Sequence, residues 1–307
     1  MKTRKILSVL LTLAMALGLL AFLPITASAD GVDITADFTD ANFKAEVYKL
    51  VGKTAPAPIY DTDAAKIGNI NVSSKNIKSL AGLEHFTELR RLDCGSNQLT
   101  SLPALPSSLH SLDCYSNQLT SLPALPSNLD MLLCGGNQLT SLPALPSSLR
   151  VLNCGGNQLT SLPALPSFLT DLYCDSNQLT LLPALPSSLE GLFCYSNQLT
   201  SLPALPPSLE ILYCANNRLS SLPKLPAALK SLDCIENQLT TIDVTGLSLD
   251  MLRCFSNNMP NKSAVIGFTG KWNGTSHAFA LQNSTSFFAK LWDFILMWIL
   301  FGWIWYK

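Results

Sequence analysis

Residues 92–111 read LDCGSNQLTSLPALPSSLHS, and the chain restarts at Leu112 with LDCYSNQLTSLPALPSNLDM. The same 20-residue unit recurs in register from Leu89 to Met259. In the copy that begins at Leu109, Leu112 and Cys114 alternate with polar neighbours at period two, which predicts a short strand with one buried face. Past Asn117 the apolar spacing changes to three, through Leu119, Leu122 and Leu125. Pro123 and Pro126 fix their own φ and push the preceding leucines out of the helical region, so the back of each unit is predicted to be extended. One unit cannot bury its own leucines, whereas stacked copies bury them against one another. The chain is therefore predicted to be a solenoid, with extended, polyproline-like coils behind its strands.

Two further columns repeat with the leucines. Asn97, Asn117, Asn137, Asn157, Asn177, Asn197, Asn217, Asn237 and Asn257 sit where each strand turns inward. Buried backbone groups there need partners, and a side-chain amide offers two donors and an acceptor, which predicts a hydrogen-bonded ladder through the stack. The nine cysteines, Cys94 to Cys254 at a spacing of 20, are odd in number and cannot all pair. They read as small buried hydrophobes. Structural zinc needs closely spaced Cys or His pairs, which the sequence lacks, and no metal or cofactor is expected.

The pattern L-x-x-L-x-C-x-x-N-x-L followed by L-P-x-L-P resembles the short, 20-residue class of bacterial leucine-rich repeats found in secreted effector and surface proteins. That resemblance implies a parallel β-sheet on a concave face and open coils on a convex one. Ahead of the repeats, Asp40 is placed to cap a helix through about Val51, with Phe43, Val47, Leu50 and Val51 on one face. A short turn near residues 63–67 leads into Ile70-Asn-Val72 and a first repeat of 22 residues. This segment resembles the amino-terminal cap of internalin-like and clostridial-type surface proteins.

The rest of the chain frames the repeats. It has 307 residues, 48% hydrophobic and 13% charged, enough apolar material for a sizeable core. Lys2, Arg4 and Lys5, an apolar run from Ile6 to Phe22 and a small-residue site at Ala27-Ser-Ala29 describe a secretory signal peptide over residues 1–29. Its removal leaves 17 basic and 21 acidic residues, a formal net charge of −4. No basic stripe exists to replace counterions on phosphates, so nucleic acid is not an expected partner. The expected organisation is an amino-terminal cap over 30–69, repeats over 70–259, a carboxyl-terminal cap over 260–285 and an apolar tail over 286–307. That tail carries four of the five tryptophans, and its uncharged run, Phe294 to Tyr306, spans 13 residues. A helix of that length is about 20 Å, short of a bilayer core of about 30 Å unless the segment from Phe287 is included. It is read as a membrane-associated helix with Trp303, Trp305 and Tyr306 at an interface, the alternative being a segment that folds back on the solenoid end.

Differences between copies concentrate on one face. The position after the second strand leucine reads Asp93, Asp113, Leu133, Asn153, Tyr173, Phe193, Tyr213, Asp233 and Arg253. The position after the cysteine reads Gly95, Tyr115, Gly135, Gly155, Asp175, Tyr195, Ala215, Ile235 and Phe255. Strand alternation points both columns at the concave surface. Exposed positions on the turns and back, such as Gln98, Thr100 and Ala104, barely change between copies. The candidate ligand-binding patch is Tyr173, Phe193, Tyr195 and Tyr213, edged by Asp171, Asp175, Glu190 and Glu210. Cross-strand stacking alone would also explain the aromatic run.

These features predict a non-enzymatic, exported binding protein that recognises a protein or a glycan at the cell surface. The alternatives are a self-associating wall component and an effector-type enzyme. Some relatives with LPxLP repeats resemble ubiquitin ligases with a catalytic cysteine in a separate domain, but every cysteine here lies inside a repeat, and His85, His110 and His277 form no nucleophile–base set.

Overall fold

The 20-residue period becomes one rung of a stack in a computed structural model that describes residues 31–279. The expected signal peptide, the apolar tail and residues 280–285 of the carboxyl-terminal cap lie outside the described residues. Each rung contributes a three-residue strand. In chain order they are β1 (Asn69–Asn71), β2 (Arg91–Asp93), β3 (Ser111–Asp113), β4 (Met131–Leu133), β5 (Val151–Asn153), β6 (Asp171–Tyr173), β7 (Gly191–Phe193), β8 (Ile211–Tyr213) and β9 (Ser231–Asp233). Parallel pairing puts each column on itself, Leu112 opposite Leu132 and Leu172 opposite Leu192. The sheet continues past β9 through β11 (Met251–Arg253) to β13 (His277–Ala278), giving eleven strands among the described residues.

Between strands, the coils 101–106 and their equivalents form neither helix nor strand, as two prolines per coil dictate. Leu99, Leu109, Leu112 and Cys114 and their copies are buried, only Leu249 of the last repeat being partly so, and they form one core from end to end. Near the end the convex side changes character. Residues 240–249 lack the proline motif, and β10 (Ile242–Asp243) pairs instead with β12 (Val265–Ile266) in a second, two-stranded parallel sheet.

The residue before each ladder asparagine has positive φ, between 50° and 63°, from Ser96 through Gly136, Gly156 and Glu236 to Ser256. This left-handed step turns the chain inward, at a cost for residues with a Cβ. It also sets the asparagine geometry. Asn157 donates through Nδ2 to the carbonyls of Cys134 and Cys154, each at 3.1 Å, and accepts through Oδ1 from the Leu139 amide at 2.9 Å. Every rung from Asn97 to Asn257 bonds its predecessor in the same way. The nine cysteines are buried thiols that form no disulfide, and burial pushes their pKa values up.

A second ladder runs on the approach to the strands. Ser108, Ser148, Ser188 and Ser208 each donate a bifurcated bond to two carbonyls of the preceding rung, Ser188 to Ser167 at 2.8 Å and Leu169 at 2.7 Å. Phe168 occupies this column and leaves its ring 62% exposed.

At the amino-terminal end, α1 (Ala41–Leu50) is capped by Asp40, whose carboxylate accepts from the Asn42 and Phe43 amides at 2.9 Å. Its other oxygen accepts from Lys78 at 2.8 Å, which ties the cap to the first repeat. Phe43 and Val47 are buried, joined by Tyr48, which the apolar stripe in the sequence omits. The second turn is a short helix, α2 (Asp61–Ala64), which begins two residues earlier than expected because the Asp63 carboxylate reaches back to accept from the Tyr60 amide at 2.8 Å. The first repeat pairs Ile70 with Leu92, and its extra length is taken up by a 3-10 turn at Leu83–His85.

Candidate binding face

The register of the sheet brings the aromatic residues together. Tyr173 of β6 lies opposite Phe193 of β7, which lies opposite Tyr213 of β8. The Tyr173 and Phe193 rings are stacked, with centroids 4.3 Å apart and planes 5° from parallel. Tyr213 meets Phe193 edge-on, at 5.1 Å and 86°. Gly191 makes this possible, because a Cβ there would stand 3.1 Å from the Phe193 ring.

Tyr195 lies two residues beyond Phe193 and reaches back one rung, where its hydroxyl is hydrogen-bonded to the Asp175 carboxylate. The carboxylate also accepts from Ser176 at 3.2 Å and lies across Gly155, where a Cβ would be 2.6 Å from its Oδ1. On the far side, the Tyr115 ring lies over Gly135, whose Cβ would be 2.9 Å from the ring. Tyr115 and Tyr195 thus lean toward each other over a trough floored by Gly155 and Gly156. The resulting cavity has a volume of about 510 Å³ and is completed by Asn153 and Ile211. Burial raises the pKa of Asp175, Tyr173, Tyr195 and Tyr213.

Of the residues singled out from the sequence, Tyr173, Phe193, Tyr195, Tyr213 and Asp175 line this cavity. Asp171, Glu190 and Glu210 do not. The Asp171 carboxylate lies beside Gly191 and accepts from Thr170 at 2.8 Å. Glu190 and Glu210 precede their strands, and Glu210 is drawn off to Lys230, 2.7 Å away. Tyr115, Asn153, Gly155, Gly156, Ser176 and Ile211 were not part of the sequence-derived patch. The signal for Tyr115 was the empty position beside it, since glycines at 135 and 155 leave a ring free to lean along the stack.

The position after the cysteine is less open than alternation predicts. Ala215 and Ile235 are buried there, because the chain turns inward at the next residue. Asp233, on the concave side, is only 4% exposed. Arg253 approaches it at 3.7 Å, yet burial still raises its pKa to about 6. No group of three or more His, Cys, Asp or Glu side chains among the described residues is arranged to hold a metal ion.

A family model for Leucine Rich repeats (2 copies) matches residues 87–127 and 127–167. The chain is a leucine-rich repeat solenoid. Among solved structures it is similar to YopM from Yersinia enterocolitica, at 34% identity over 67% of this chain and 49% of that one, with a TM-score of 0.59. The functional domain of InlJ from Listeria monocytogenes, which includes a cysteine ladder, is 28% identical over 75% of this chain and 58% of that one, with a TM-score of 0.61. YopM from Yersinia pestis, a leucine-rich effector protein, is 27% identical over 76% of this chain and 73% of that one, with a TM-score of 0.55. The solenoid spans about half the length of the first of these structures and 58% of the second. No curated protein matches the chain.

Proposed function

We propose that this solenoid is a non-enzymatic recognition module, exported and held at the cell surface, that binds a protein or glycan ligand on its concave face. The observation that carries the reading is the convergence of Tyr115, Tyr173, Phe193, Tyr195 and Tyr213, from four rungs, on one cavity. Rigid aromatic side chains give large contact area at small entropic cost, and buried aromatic anchors dominate many interfaces. Parallel strands about 4.8 Å apart hold them without reorganisation.

Binding without chemistry agrees with the groups present. The thiols are buried and hard to ionise, which suits packing and not nucleophilic attack. His85 pairs with Asp37 in the cap, His110 with the Ser108 carbonyl and His277 with the Leu249 carbonyl, and none lines the cavity. Export rests on the signal-peptide pattern of residues 1–29, and surface retention on the tryptophan-rich tail.

The test is a glycan array and a displayed-peptide screen with the full chain, beside a variant carrying Ala at 173, 193, 195 and 213. Ligands captured by the parent and lost by the equally stable variant support the reading. Ligands indifferent to all four substitutions would remove it.

A further inference from the structure

The cavity has an electrostatic character that the aromatic walls alone do not define. Outward positions of the central rungs, from Ser111 to Ile235, include Asp113, Asp171, Asp175 and Asp233 but no Lys or Arg. Arg253 answers Asp233 from the neighbouring rung. Asp175 lies in the cavity wall, where its carboxylate accepts from the hydroxyls of Tyr195 and Ser176 and from its own backbone amide, none of them a cation. Hydroxyl bonds satisfy a carboxylate's lone pairs but supply no countercharge, and a desolvated charge gains most from a cation that arrives with its own donors.

The geometry points to an arginine side chain of a protein partner as the group this cavity holds, packed on the Tyr173–Phe193–Tyr213 wall with its guanidinium facing Asp175. The inference rests on the proposed role of the concave face and specifies the chemistry of its ligand. A guanidinium is planar, weakly hydrated and always charged, so it stacks on aromatic rings and donates two parallel bonds to one carboxylate. A neutral sugar would use the aromatic faces but leave the desolvated charge unanswered. A cavity of about 510 Å³ also exceeds one guanidinium, leaving room for the residues that flank it in a chain. Beside the Asp175 carboxylate, which lies across Gly155, the trough is open over Gly156, where only the Gly136 backbone comes within 4 Å of the place of a Cβ, and this gives the flanking backbone its approach.

The test uses the full chain and a phage-displayed library of random dodecapeptides, with a glycan array run in parallel. Arginine-bearing peptides should be enriched. Replacing that arginine by citrulline, its neutral isostere, should weaken binding at least tenfold, and Asp175→Asn in the protein should weaken the arginine form similarly while leaving the citrulline form within about twofold. If Asp175→Asn lowers the urea midpoint, Gly155→Val, whose side chain displaces the carboxylate, provides the second comparison. Failure to enrich arginine, or peptides or glycans that need the four aromatic residues but no cation, would overturn the arginine assignment and leave the concave-face reading standing. Ligands that ignore the four aromatic residues would overturn both.

Discussion

The Tyr173 ring lies flat on Phe193 of the next rung, 4.3 Å between centroids, although 20 residues separate them in the chain. Strand spacing and ring-stacking distance are nearly equal, so a parallel sheet in exact column register presents aromatic neighbours already stacked.

That stack should show as coupling between the two positions. In a double-mutant cycle of Tyr173→Ala and Phe193→Ala, urea unfolding is expected to give an interaction of about 1 kcal/mol beyond the two separate losses. Additive losses would mean that the rings share a surface without supporting each other.

The asparagine ladder should be far less tolerant. Asn157→Ala leaves the buried Leu139 amide without its acceptor and takes from the Cys134 and Cys154 carbonyls one of the two asparagine donors that each has, Asn137 and Asn177 being those that stay. A loss of about 3 kcal/mol or more is expected, against about 0.5 kcal/mol for a change at exposed Gln158. Equal urea midpoints for the two variants would contradict this account.

Burial protects the cysteine column. Iodoacetamide at pH 8 should leave all nine thiols unmodified in the folded chain and label them in guanidinium, because burial raises the thiol pKa, for Cys254 to about 12. Mass spectrometry of the native sample would expose any rung that opens.

The serine ladder offers a stabilising change. Phe168→Ser should restore bonds to the Ser147 and Leu149 carbonyls, as Ser188 makes to Ser167 and Leu169, and remove an exposed ring. The expected gain is about 1 kcal/mol, read as a higher urea midpoint. A lower midpoint would show that the ring packs more than its exposure indicates.

Asp233 gives stability an unusual pH dependence. Burial first, countered in part by Arg253, lifts its pKa from 3.8 to about 6 in the folded chain. A carboxyl that holds its proton more tightly when folded makes stability fall as pH rises from about 4 to about 6, here by up to about 3 kcal/mol. Asp113 and Asp175 shift in the same direction. Asp40 opposes them. Despite its partial burial, the amides of Phe43, Lys78, Asn42 and Ser79 hold its pKa low, so its contribution fades only below about pH 4. Urea midpoints should therefore be higher at pH 5 than at pH 7.5, and Asp233→Asn should flatten the difference. A midpoint that rises steadily with pH would refute the assignment.

The sequence alone determined the rung. Leucine spacing of two and then three, prolines in the coil and one asparagine per turn define a unit that can bury its apolar side only by stacking on copies of itself, so Leu, Cys and Asn columns meet themselves. Contacts of that kind are legible because the period is also the neighbour list. Tertiary structure alone decided how the concave side chains lean. Tyr115 crosses Gly135 because no Cβ blocks it, Glu210 turns to Lys230 and away from the cavity, and the serine column finds carbonyls that its spacing does not reveal. Column position fixes where a side chain starts, but its rotamer follows the volume left by different residues on adjacent rungs, and that volume exists only once the stack has formed.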